Sequence, residues 1–234
     1  LSIMKTPQGT MTLSRIFVPF FTEMLLLNMM GTINTLMLSH YSDDAVAAVG
    51  SATQLLGMIL TFYTVISTGA SIVINHNLGA ENTEKASDAA LTSIILCGSL
   101  SLILGTCLSL AARPLLGLMH LQGQVLDYAV TYFRIAVQFS FFQAVTSSIS
   151  GIFRSYGKPK ISVCVSLTMN GMNAALAYLV IFRPINLPVS GVSGIAAAYV
   201  CSQLFGLLLI LTFLRKIPLG LHFRQKNFAS LKVA

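Results

Sequence analysis

The 234-residue sequence has no tryptophan and very little charge: 9% of its residues are Asp, Glu, Lys or Arg, against 55% hydrophobic. A soluble domain carries about a quarter charged residues, so this composition excludes water as the main solvent of the folded chain. Carboxylates are scarcest, with seven Asp and Glu against 14 Lys and Arg for a net charge of +7. In a soluble protein that excess would suggest nucleic acid. Here its placement along apolar sequence matters more, and no nucleic-acid partner is expected. Cys97, Cys107, Cys164 and Cys201 form no CxxC and no Cys/His cluster, which argues against metal or disulfide roles and leaves them as small hydrophobes. His40, His76, His120 and His222 are scattered, and neither a nucleophile elbow nor a phosphate loop occurs. An enzyme is not expected, nor is a cofactor or metal.

What the chain does have is a series of apolar runs long enough to cross about 30 Å of hydrocarbon, which takes about 20 helical residues. They lie near 16–38, 47–74, 89–112, 129–152, 161–182 and 191–214. The expected fold is all-α and polytopic, with six transmembrane helices in one lobe, residues 1–15 as a cytoplasmic segment and 215–234 as a basic cytoplasmic linker or tail. The first run is too long for a signal peptide and lacks a small-residue cleavage site. Lys5, Arg15, Lys85, Arg154, Lys158, Lys160, Arg215, Lys216, Arg224, Lys226 and Lys232 all fall on one side of this arrangement, and only Arg113 and Arg183 on the other. Because cationic loops stay in the cytosol, both termini are placed there, in the plasma (inner) membrane. With no tryptophan for an interfacial belt, Tyr41, Tyr128, Tyr132 and Tyr156 near helix ends are expected to serve instead.

Glu23 is the single carboxylate deep inside a span, about two turns into the first. An ionisable group at that depth usually marks a substrate, ion or proton route. Desolvation penalises its charged form, so proton loading and release is its expected chemistry. Pro19 precedes it by one turn, removing a backbone donor. Asn34 returns to the same helical face three turns later, roughly 16 Å along the axis. In the fifth span Ser162, Ser166, Asn170, Asn173 and Ala177 share a face, which suits either helix packing or a wet polar cavity. Gln54 and Tyr63 in the second span are weaker candidates for substrate contact. Arg134 enters from the opposite side to Glu23, so snorkelling to the outer interface is expected of it rather than a pair. Gly194, Ala198, Ser202 and Gly206 recur every four residues in the sixth span and read as a helix-packing stripe. An echo between AAVGSATQLLGMIL and AAAYVCSQLFGLLL fits either a duplicated three-helix unit or chance likeness between small-residue helices.

Five stretches in order, TINTLMLSHYSDDAVAAVG, STGASIVINHNLGAENTEKA, YFRIAVQFSFFQAVTSSISGIFRSYGKPK, SLTMNGMNAALAYLVIF and LPVSGVSGIAAAYV, resemble the amino-terminal half of the multidrug and toxic compound extrusion (MATE) transporters. The resemblance covers nearly the whole chain. It implies one lobe of a two-lobed (6+6) transporter that exports organic, often cationic, xenobiotic compounds by antiport against protons or sodium. Its partners would be small organic substrates, the lipid bilayer and either a missing carboxy-terminal lobe or a second copy. The family often has aspartate where this chain has Asn34, and an acidic residue where it has Ala177, while Asn173 matches an amide one turn earlier. Those substitutions remove the usual carboxylates and leave Glu23 as the candidate ion or proton carrier, with Asn34 and Asn173 as ion ligands and Asn170, Gln54 and Tyr63 lining the cavity. Two other readings stay open: a lipid-linked oligosaccharide flippase of the same superfamily, or an inactive truncated membrane fragment. Starting at leucine and ending after one bundle, the sequence is consistent with a partial reading frame or with a half-size protein that dimerises.

Overall fold

A computed structural model describes residues 3–6, 9–182 and 191–216. Two four-residue strands, β1 (Ile3–Thr6) and β2 (Gly9–Thr12), pair antiparallel ahead of the bundle, in the segment expected to be a plain cytoplasmic extension. Everything else described is helix or short turn. Of the expected tail, only Arg215 and Lys216 lie within the described residues, as the end of the last helix. The connection at 183–190 and residues 217–234 fall outside them.

The first apolar run is α1 (Leu13–Leu38), which carries Pro19 inside it. The second is α2 (Asp43–Gly79), 37 residues long. At 1.5 Å per residue that is about 55 Å, well beyond the hydrocarbon thickness. Asp43 and Asp44 extend it N-terminally, where carboxylates complement the helix dipole. Asn82 caps α3 (Thr83–Leu110), its side chain accepting from the Lys85 backbone N–H at 3.1 Å. A one-and-a-half-turn helix, α4 (Ala112–Gly117), sits in the connection that follows.

The fourth run is broken into two helices, α5 (Gly123–Gln138) and α6 (Ser140–Ser155), which meet at 46°. This corrects the continuous span expected over 129–152. No proline or glycine marks the break. It is held by tertiary contacts: Gly105 of α3 sits so close that a Cβ there would lie 2.7 Å from the Val137 carbonyl oxygen. From the other side, the Tyr63 and Ser140 hydroxyls are 3.1 Å apart. α7 (Pro159–Phe182) and α8 (Gly191–Lys216) complete the bundle. Among the described residues α2, α3, α7 and α8 are long and apolar enough to cross a membrane on their own, and the α5/α6 pair is a further crossing if taken as one broken span.

α7 lies between α1 and α8, while α2 packs on α3, α5 and α6. The small-residue stripe of α8 acts as scaffold. A side chain at Gly194 would run into Val180, and one at Gly206 into Met169, both on α7. Ala198 and Ser202 between them are buried. The surface is the reverse of a soluble protein's: Leu110, Phe62 and Ile72 are 76%, 67% and 65% exposed. Such an outer apolar skin calls for lipid or a further protein surface rather than water. The echo between the second and sixth spans falls on α2 and α8, four spans apart, which a three-helix duplication would not produce.

Candidate functional site

Glu23 is 3% exposed, and its carboxylate is not alone. Arg154, in the last turn of α6, donates from Nη1 to Glu23 Oε2 at 2.8 Å, with the two side chains 15% and 5% exposed. The Ser150 side chain, one turn earlier on α6, lies near the same carboxylate. Desolvating two charges is costly unless the geometry is close, as it is at 2.8 Å. Arg134, by contrast, is exposed on α5 and makes no pair with Glu23. The partnership with Arg154 had one signal in the sequence: both residues fall toward the same membrane side, in spans that end and begin there.

Farther along α1, Asn34 is fully buried and its Nδ2 donates to the Tyr132 hydroxyl at 3.5 Å, while its Oδ1 has no partner among the described residues. On α7, Ser162, Ser166, Asn170, Asn173 and Ala177 are all buried. Asn170 Nδ2 bonds back to the Ser166 carbonyl at 2.9 Å, leaving its Oδ1 open. Neither Nδ2 nor Oδ1 of Asn173 has a described partner. Buried polar groups are nearly always satisfied, so open amides on the packed pair α1 and α7 are unusual.

A cavity of about 230 Å³ lies between α1 and α2, floored by α5, α6 and α8. Asn28, Gly57 and Thr61 at its rim are exposed, whereas Tyr63, Tyr132 and Gln203 deeper in are buried. It therefore opens on one side and closes into the bundle. Of the residues expected to contact a solute, Tyr63 lines it. Gln54 does not. Its side chain is exposed on a different face of α2, and the neighbouring Thr53 takes the lining position. Asn170, Asn34 and Asn173 lie outside the lining as well, Asn34 on α1 and the other two on α7. Tyr132, expected at the membrane interface, is 1% exposed and forms the cavity wall with Tyr199, their rings 6.4 Å apart.

Sequence reasoning passed over Gln143 and Gln203, both buried and both lining the cavity. For Gln203 there was a signal. The echo between the second and sixth spans sets it opposite Gln54, and the environment decides which of the two faces inward.

A family model, MatE, matches residues 19–179. The chain belongs to the MatE family. It is 34% identical over 215 residues to the uncharacterized transporter YisQ of Bacillus subtilis, a match covering 92% of this chain and 47% of that protein. It is 26% identical over 203 residues to the probable multidrug resistance protein NorM of Thermotoga maritima, covering 86% of this chain and 44% of the relative. A solved MATE structure in a bent conformation superposes with a TM-score of 0.82 at 22% identity, over 91% of this chain and 47% of that one. The MatE chain described here thus spans about half the length of the relatives it matches. It is a multi-pass membrane protein with the all-helical fold of a MATE lobe.

Proposed function

We propose that this chain is the amino-terminal lobe of a secondary active antiporter that exports organic compounds in exchange for protons or sodium. It would sit in the plasma membrane with both termini in the cytosol, and turn over by rocking against a second lobe, the rest of a longer chain or a second copy. Membership of a family of transporters, not enzymes, supports this reading. The observation that carries it is the buried Glu23–Arg154 pair, set beside a cavity of mixed polar and apolar lining in a bundle whose other described carboxylates lie toward helix ends.

In this mechanism Glu23 alternates between two partners, the Arg154 guanidinium and the transported ion. Arg154 fixes the carboxylate in one state, and an arriving proton neutralises it and releases the guanidinium. Asn34 and Asn173 supply amide oxygens to a cation that reaches the α1/α7 layer, and Asn170 adds a third. Asparagine carries no proton, so proton coupling in this lobe rests on Glu23. The flippase reading draws no support from the cavity. Lipid-linked pyrophosphates call for arginine or lysine, and among the described residues no such side chain lines it.

Drug-dependent efflux in cells carrying the intact protein tests the reading. Glu23→Gln is expected to abolish efflux scored per amount of protein in the membrane, and unimpaired efflux overturns the role of Glu23. Measuring efflux under separately imposed proton and sodium gradients identifies the coupling ion.

A further inference from the structure

The exposed side chains of α5 are Gln124, Asp127, Thr131, Arg134 and Gln138, at spacings of three and four, so they form one polar stripe. No large apolar side chain of α5 is exposed, whereas α1, α2, α3, α7 and α8 each expose several. The opposite face, with Ala129, Tyr132, Phe133, Ala136 and Val137, is buried, so the stripe points away from the cavity wall at Tyr132. Contacts with the two neighbours α3 and α8 fix its depth. A Cβ at Gly105 would lie 2.7 Å from the Val137 carbonyl oxygen, and the Tyr132 and Tyr199 rings are 6.4 Å apart. Counted from these points at about 1.5 Å per residue, Arg134 and Gln138 lie level with residues 104–108 of α3 and 201–205 of α8. Ile103, Leu204 and Phe205 at or next to those levels are exposed, as is Leu110 farther out than Arg134. Arg134 and Gln138 therefore sit at the depth of the apolar skin. Arg134 makes no ion pair among the described residues, and the stripe's carboxylate, Asp127, is taken by Arg113 at 3.3 Å.

From this we infer that the stripe binds the headgroup of an anionic glycerophospholipid, with Arg134 on the phosphodiester and the acyl chains along Phe139, Ile103, Leu204 and Phe205. A guanidinium at this depth needs a counter-ion, and its planar fork of donors matches phosphate oxygens. The Arg113–Asp127 pair is neutral, so Arg134 leaves the stripe with one unbalanced positive charge. A phosphatidylglycerol headgroup balances it, while phosphatidylcholine brings its own ammonium. Thr131 and Gln138 lie one turn to either side of Arg134. The Thr131 hydroxyl donates to the Asp127 carbonyl at 2.8 Å, which leaves its oxygen to accept from a glycerol hydroxyl. Phe139, at the break below the stripe, is 45% exposed and offers the first apolar surface beneath the headgroup. The site is separate from the cavity and stands whatever the lobe transports.

The test uses the protein as cells make it, in phosphatidylcholine nanodiscs doped with phosphatidylglycerol or phosphatidylcholine that carries a diazirine on one acyl chain. After illumination the labelled peptides are mapped by mass spectrometry. Expected are adducts on the peptides holding Phe139, Leu204 or Phe205, about tenfold more with phosphatidylglycerol, the factor that one charge-assisted hydrogen bond makes. Arg134→Gln is expected to bring the two lipids within about twofold at these peptides. Arg134→Lys, which keeps the charge, should retain most of the preference. Lys160→Gln, at the start of α7 near the other membrane side, is expected to leave labelling of this site unchanged. Equal labelling by the two lipids in the wild-type protein, or no adduct at these peptides, overturns the inference whether or not the variants fold. A preference that survives Arg134→Gln overturns it as well. Disulfide-linked dimers of a Thr131→Cys protein, with the native cysteines replaced, would give the stripe to a second copy instead and also overturn it.

Discussion

At the scale of single residues, what distinguishes this bundle is where its few polar groups go. Removing Arg154 strands a carboxylate 3% exposed in an apolar layer, and breaking a buried pair from one side costs about 3–5 kcal/mol. Arg154→Ala is therefore expected to lower the thermal stability of the detergent-solubilised protein sharply. Glu23→Gln combined with Arg154→Gln should recover most of the loss, because two neutral amides hydrogen-bond without the desolvation penalty. A melting curve of the double variant no better than Arg154→Ala would show that the pair contributes little. Tyr63 gives a smaller case. Its hydroxyl, on a side chain 1% exposed, has the Ser140 hydroxyl as partner at 3.1 Å. Ser140→Ala leaves it open, at about 1–3 kcal/mol, with a matching fall in melting temperature. Glu23 was legible in the sequence because a lone acid in an apolar run is conspicuous. Arg154 was less so, since an arginine just before a turn looks like an ordinary positive flank, and only the fold shows it folded inward.

At the scale of elements, helices here approach through small residues and serine hydroxyls. Gly151 of α6 faces Ser67 and Ser71 of α2, where a Cβ would lie 2.7 Å and 2.8 Å from their hydroxyl oxygens. The same seam has Ser67 donating to the Ser147 carbonyl at 3.0 Å and the Ser93 and Ser148 hydroxyls 3.0 Å apart, joining α2, α3 and α6. Gly151→Val must push α2 and α6 apart, and overpacking of this kind costs about 1–3 kcal/mol. Gly171→Ala, at a helical position with nothing within 4 Å, is expected to be neutral or stabilising by up to about 1 kcal/mol. Size-exclusion profiles after heating compare the two, and equal losses would count against close packing at Gly151. The break between α5 and α6 belongs to this scale too. Sequence periodicity runs straight through Phe139 because its neighbours all suit a helix. The bend comes from Gly105 and Tyr63, which lie on other helices and are far away in the chain.

For the whole molecule, the basic residues set the expected orientation. With the four native cysteines replaced, Lys158→Cys at the α6–α7 turn should react with a membrane-impermeant maleimide only after the cells are opened. Gln122→Cys, at the start of α5, should react in intact cells. The reverse pattern would invert the topology and place the Glu23–Arg154 pair on the outer side. A half-length match to its relatives sets a second expectation. The cavity's exposed rim at Asn28, Gly57 and Thr61 is where a second lobe would close over a solute, so bulky labels there should block efflux more than labels on the lipid-facing Phe62.

Composition and periodicity alone determined that the chain is a helical membrane protein, because crossing hydrocarbon demands long uncharged runs whose backbone groups pair within the helix. They also singled out Glu23, since the same solvent makes an ionisable group stand out. Which polar residues face one another was decided by the tertiary structure. A helix position is specified by periodicity only up to rotation about its axis, and because the lipid-facing and the packed faces of these helices are both apolar, the pattern does not tell which glutamine turns inward. Gln54 and Gln203 share their local sequence, yet packing against α1, α5 and α6 leaves the first at the surface and buries the second in the cavity wall.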